Sequence, residues 1–105
     1  MSNYKLLYVT CGSKKEAIEI GSFLVKSKLA ACTNIISNTQ SIFKWKEKIY
    51  SNKREFILVG KTQKKNVNKI IKFVEKNHSY ECPCILFFNI DMGNKRFLKW
   101  IKTNS

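Results

Sequence analysis

Apolar positions change their spacing several times along this chain, and each change predicts an element. Tyr4 to Thr10 is a run rich in β-formers and reads as a first strand. Ser13-Lys14-Lys15-Glu16 then spells a capping box, in which Ser13 accepts from the third helical N–H and Glu16 reaches back. Behind it Ala17, Ile20, Gly21, Leu24 and Val25 recur at steps of three and four, so a first helix is expected over Lys14 to Ser27. From Ala30 the pattern becomes extended. Ile35-Ile36 leads through the polar Ser37-Asn38-Thr39-Gln40 into Ser41 to Tyr50, where Phe43, Trp45, Glu47 and Ile49 alternate with Lys44, Lys46 and Lys48. Ser51-Asn52-Lys53 is the expected hairpin turn, and Glu55 to Lys61 the returning strand.

Val67, Ile70, Ile71 and Val74 predict a second helix, Ile85 to Ile90 a fourth strand. Asp91-Met92-Gly93-Asn94 breaks that strand, and Phe97, Leu98 and Ile101 give a short C-terminal helix. The order β-α-β-β-α-β is that of an α+β, ferredoxin-like sheet with its helices on one face. The 105 residues hold no linker or repeat and form a single domain, 1–105.

One feature of the pattern exceeds what such a domain can bury alone. Both faces are apolar in Phe56-Ile57-Leu58-Val59, in Leu6-Leu7-Tyr8-Val9 and in Ile85-Leu86-Phe87-Phe88. Helices on one side leave the other bare, beyond the few hundred Å² a soluble monomer usually exposes. A further copy of the same sheet is the simplest cover. The long hairpin from Ser41 to Lys61 reaches across to it, and Phe43, Trp45, Leu58 and Val59 are the expected contact residues.

Composition narrows the function classes. The formal charge of +13 suggests a polyanion partner, but of 20 Lys+Arg only Arg54 and Arg96 are arginine. Phosphate and base recognition favours arginine's bidentate fork, so a role on nucleic acid is not expected. Lys65, Lys69, Lys72 and Lys76 repeat at helical spacing, as on a solvated helix face or a phosphate-tracking stripe. A basic RNA-binding module of RRM type is the alternative from another class. Glu55-Phe56-Ile57-Leu58-Val59-Gly60-Lys61 does not match the aromatic core of its third strand. No apolar run approaches the roughly 20 residues of a membrane span. Ser2 stands where N-myristoylation needs glycine, no prenylation box ends the chain, and no secretory signal precedes the cysteines. A cytoplasmic, reduced setting is therefore expected.

The chemistry-bearing side chains converge on His78-Ser79-Tyr80-Glu81-Cys82-Pro83-Cys84, which holds the only histidine, the only proline and two of the four cysteines. His78, Cys82 and Cys84 are candidate ligands for copper or another divalent metal, since thiolates favour Cu(I) and imidazole suits Cu and Zn. One Cys-x-Cys and one histidine fall short of a structural zinc set. A histidine closing the second helix and two packed cysteines fit the same residues, as Cys11 and Cys32 fit packing. A Cys82–His78 nucleophile pair lacks any recognisable surrounding signature. Glu47 and Glu55, on opposite arms of the hairpin, read as partners of lysine.

Five blocks, in order, resemble the CutA family of divalent-cation tolerance proteins: Lys28-Leu29-Ala30-Ala31-Cys32-Thr33-Asn34; Ser41 to Ile49; Lys61-Thr62; His78-x-Tyr80-Glu81-x-Pro83; and Gly93-Asn94 followed by Phe97-Leu98-x-Trp100-Ile101. The resemblance implies a non-enzymatic homotrimer of ferredoxin-like subunits with hairpins wrapped between neighbours, a metal-binding or small signalling role, and an inter-subunit cleft lined by Trp45, Glu55, Lys61, His78 and Tyr80. Ser79 replaces the family's usual proline. Cys84 stands where an acidic residue is common, which would shift any metal preference toward soft ions.

Overall fold

The computed structural model describes residues 3–105, Lys53 by its backbone alone. The readings made on Met1 and Ser2 lie outside them. In chain order the elements are β1 (Tyr4–Cys11), α1 (Lys14–Lys26), β2 (Cys32–Trp45), β3 (Lys48–Gln63), a 3₁₀ turn (Lys64–Asn66), α2 (Val67–Asn77), β4 (Ile85–Asn89) and α3 (Lys95–Asn104). The strands form one antiparallel sheet in the order β2-β3-β1-β4, the ferredoxin-like arrangement expected from the pattern.

Register decides which side chains reach the helices. Leu7 pairs with Gly60 and Phe87, Val9 with Leu58 and Ile85, and Cys11 with Phe56, so these residues share one face. Leu7, Val9, Cys11 and Leu58 meet Ala17, Ile20 and Leu24 of α1 and Ile70 and Val74 of α2 in the core. Gly21 lets α1 lie this close: a Cβ there would stand 2.9 Å from Thr33 Oγ1 and 3.0 Å from Leu58 Cδ1. α3 packs through Ile101 and is tied down by Gln63, whose Nε2 donates to the carbonyls of Lys102 (3.2 Å) and Ser105 (2.7 Å).

The opposite face remains uncovered in the single chain. Leu6, Tyr8 and Val59 are half-buried there, and Ile36, Leu86 and Phe88 stand 52%, 49% and 49% exposed. Tyr8 and Phe88 meet edge to face across β1 and β4, with centroids 6.3 Å apart. RRM domains instead place their aromatics on the first and third strands.

Two expectations about the hairpin are corrected. The turn is not at Ser51-Asn52-Lys53; those residues lie within β3, and the chain reverses at Lys46-Glu47, where Trp45 pairs with Lys48. Lys46 and Glu47 both take positive φ, 49° and 69°, as a two-residue type I′ turn requires. Lys-Glu carries none of the Asn-Gly signal that marks such turns, whereas Ser-Asn does look like one. The facing therefore changes too. Phe43 opposes Tyr50 (centroids 5.7 Å apart), Lys44 opposes Ile49, which puts Ile49 on the Lys44 face, and Glu55 opposes Thr39 and accepts from the Tyr80 hydroxyl in place of a lysine. Register shifts on either side of Thr39, with Asn38 at φ 60°, carry β2 through the polar stretch without ending it.

Candidate functional site

The sheet order makes β4 the neighbour of β1, so the turn from α2 into β4 must pass the end of β1 and the start of α1. That juxtaposition builds the site. Ser13 caps α1 as expected, its Oγ accepting from Glu16 N (3.1 Å), but the reciprocal arm differs from a standard capping box. Glu16 Oε1 accepts from Gly12 N (3.1 Å), and Oε2 accepts from Ser79 N (2.7 Å). One carboxylate thus ties the start of α1 to the turn after α2. Burial alone would raise its pKa, but the Ser79 and Gly12 hydrogen bonds and nearby His78 hold it below the usual carboxylate value.

His78 completes the clasp. Its side chain is fully buried; Nε2 donates to the Thr10 carbonyl (2.8 Å) and Nδ1 accepts from Tyr80 N–H (3.0 Å). Those partners set the Nε2–H tautomer and leave neither ring nitrogen a free lone pair. Tyr80 crosses Gly12, where a Cβ would lie 3.0 Å from the ring, and its hydroxyl donates to the buried Glu55 carboxylate. Burial, then that bond and charge, push the Tyr80 phenol upward.

The expected ligand set is not what the fold assembles. Among the described residues, the group close enough to share an ion is Cys11, Glu16 and His78, with ligand atoms within 4.8 Å of one another. Its donors do not fit a metal. Both His78 nitrogens are engaged, each Glu16 oxygen accepts a backbone N–H, and burial followed by the charges of Glu16 and Glu55 pushes the Cys11 thiol up to about 12. Cys82 is exposed on the turn. Cys84 is half-buried beside Thr10, with its thiol pushed up by burial first and by Glu55 second. A Cys82–His78 nucleophile pair lacks a base for the same reason that His78 cannot ligate.

Of the expected cleft, Glu55, His78 and Tyr80 are together, the His78 and Tyr80 rings 4.8 Å apart. Trp45 and Lys61 lie about six to seven strand positions from Glu55 in opposite directions, roughly 20 Å away at ~3.4 Å per residue. Trp45 sits at the hairpin tip beneath the Lys46 ammonium, and Lys61 donates to Asn34 Oδ1. Of the four expected contact residues, Phe43, Trp45 and Val59 are open to a neighbour, while Leu58 is fully buried under α1. Sequence reasoning missed Thr10, Gly12 and the double role of Glu16. The capping-box signal marked Glu16, but its second partner lies 63 residues away in sequence.

Known proteins share the sequence pattern and the overall fold of this chain. The family model for the CutA1 divalent ion tolerance protein matches residues 5–104. The divalent-cation tolerance protein CutA of Archaeoglobus fulgidus is 38% identical over 98 residues, covering 93% of this chain and 94% of that protein. A CutA homolog of Xenopus laevis is 37% identical over 90% of this chain, which spans only 62% of that relative; for chloroplastic CutA of Arabidopsis thaliana that share is 54%. The solved structure described as the periplasmic CutA of Archaeoglobus fulgidus superposes with TM-score 0.92 at 37% identity, covering 96% of this chain and 97% of that one. The Thermus thermophilus protein superposes with TM-score 0.93 at 30% identity, covering 97% and 98%.

Proposed function

The chain belongs to the CutA1 divalent ion tolerance family, and from that premise we propose that it serves divalent-cation tolerance as a non-enzymatic homotrimer. One observation carries the reading: the apolar sheet face formed by Leu6, Tyr8, Ile36, Val59, Leu86 and Phe88 is uncovered in the single chain. The outer edges of β2 and β4 add two unlike, unpaired strand edges, which suit a head-to-tail ring. In that ring the Trp45 hairpin tip of one subunit reaches the Glu55–Tyr80 region of the next. The free state of all four cysteines supports a reducing, cytoplasmic setting.

Any metal role falls to the turn's thiols, not to His78. Cys82 and Cys84 flank Pro83, and as thiolates they would hold a soft ion such as Cu(I). The raised Cys84 pKa makes such binding proton-coupled, favoured as pH rises. Native mass spectrometry of reduced protein tests both parts. Wild type should run as a trimer, and Val59→Asp, which places a charge on the open face, should leave monomer or aggregate. A wild-type monomer would end the trimer reading. Copper(I) uptake should disappear in Cys82→Ser/Cys84→Ser and persist in His78→Gln; uptake unchanged by the double serine variant would end the metal reading.

A further inference from the structure

A second concave feature lies away from the clasp, between α3 and the first residue of β1. It is a solvent-open basin of ≈ 730 Å³ lined by Tyr4, Lys95, Leu98, Lys99, Lys102 and Thr103. That is within the roughly 300–1,000 Å³ typical of small-ligand sites. The lysines occupy positions i, i+4 and i+7 of α3, so at about 100° per residue they share one flank, and the outer two are spaced by ~10 Å along the axis. All three are exposed, and among the described residues no carboxylate forms an ion pair with any of them.

We propose that this basin binds a short chain of phosphate groups, as in inorganic tripolyphosphate or the triphosphate of a nucleotide. Three like charges around one concavity repel each other until an anion supplies the missing countercharge. Lysine acts on phosphate as a compact point charge and needs no bidentate geometry, so scarcity of arginine does not count against a small flexible anion. The ~10 Å reach of the lysines matches a linear triphosphate better than a long strand of nucleic acid, which needs a continued track. The half-buried Tyr4 ring and Leu98 add an apolar wall against which a base could rest. The basin also stays clear of the exposed Phe97 and Trp100, which lie about 160° round the helix from the lysine flank. Cover over those aromatics leaves it open.

Isothermal titration of the assembled protein with sodium tripolyphosphate in 0.15 M salt tests the site. The expected result is saturable binding with about one anion per chain, weakened about tenfold or more in Lys95→Gln/Lys99→Gln/Lys102→Gln because charge-assisted contacts are lost. The matched variant Lys65→Gln/Lys69→Gln/Lys72→Gln, with the same charge removed from the 3₁₀ turn and α2, should stay within about twofold of wild type, since salt screens charges beyond ~8 Å. Absence of saturable binding, or equal loss in the two variants, overturns the proposal in favour of generic lysine attraction. A parallel titration with ATP distinguishes the sources. Tighter binding of ATP, lost in Tyr4→Leu, identifies a nucleotide; equal affinity identifies the bare phosphate chain. Both outcomes uphold the basin as the site.

Discussion

Replacing Glu16 by alanine should loosen the join between the start of α1 and the 78–84 turn. The change removes the acceptors of Gly12 N (3.1 Å) and Ser79 N (2.7 Å), each a bond to a charged group worth about 1.5–3 kcal/mol. Ser79 is exposed, so water recovers much of its share, whereas Gly12 is half-buried and recovers less. Loss of an acidic residue in the first helical turn costs a further ~0.3–1 kcal/mol, and alanine's better helix propensity returns at most about 0.7 kcal/mol. The balance is a destabilisation of about 2–3 kcal/mol. At ~4 °C per kcal/mol for a chain of this size, thermal denaturation at fixed protein concentration should show Tm lower by about 10 °C. Glu16→Gln keeps one acceptor oxygen and sets its NH2 against the other backbone N–H, so one bond is lost and the other weakened; it should fall between wild type and the alanine variant, closer to alanine. An unchanged Tm in the alanine variant would refute the clasp as a stabilising join.

The same carboxylate sets an acid limit. Its folded pKa lies below the unfolded value of about 4.3, so its stabilisation is present above that pH and is lost as pH falls through the folded value. Wild-type Tm should drop on acidification below ~4.3 more steeply than that of Glu16→Gln; parallel curves would count against it. Gly21→Ala gains about 1 kcal/mol of helix propensity but drives a Cβ to 2.9 Å from Thr33 Oγ1, and overpacking of about 1–3 kcal/mol should win, lowering the urea midpoint. At the hairpin tip Lys46→Asn/Glu47→Gly relieves two left-handed residues and should raise the midpoint by the equivalent of about 1 kcal/mol. The exposed Lys44–Glu47 pair it removes contributes little, so a lower midpoint would contradict the turn assignment.

Much of this molecule was legible in its spacing. Three- and four-residue apolar steps set α1 and α2, and two-faced apolar strands announced a sheet needing cover on both sides. Local side-chain period and burial demand determine those features, and both can be read without knowing the fold. The hairpin tip was not legible, because Lys46-Glu47 adopts left-handed backbone imposed by the pairing of Trp45 with Lys48. The site divides in the same way. Clustering in sequence picked out His78, Cys82 and Cys84 as ligands, yet a ligand must have a free lone pair, and only tertiary contacts decide that. The β2-β3-β1-β4 order carries the 78–84 turn past Thr10, Gly12 and Glu16, and their carbonyl, Cα and carboxylate engage its histidine, tyrosine and backbone. Sequence determined which groups were chemically capable. Long-range hydrogen bonding, which depends on partners many residues away, decided that His78 is a structural clasp with both ring nitrogens engaged.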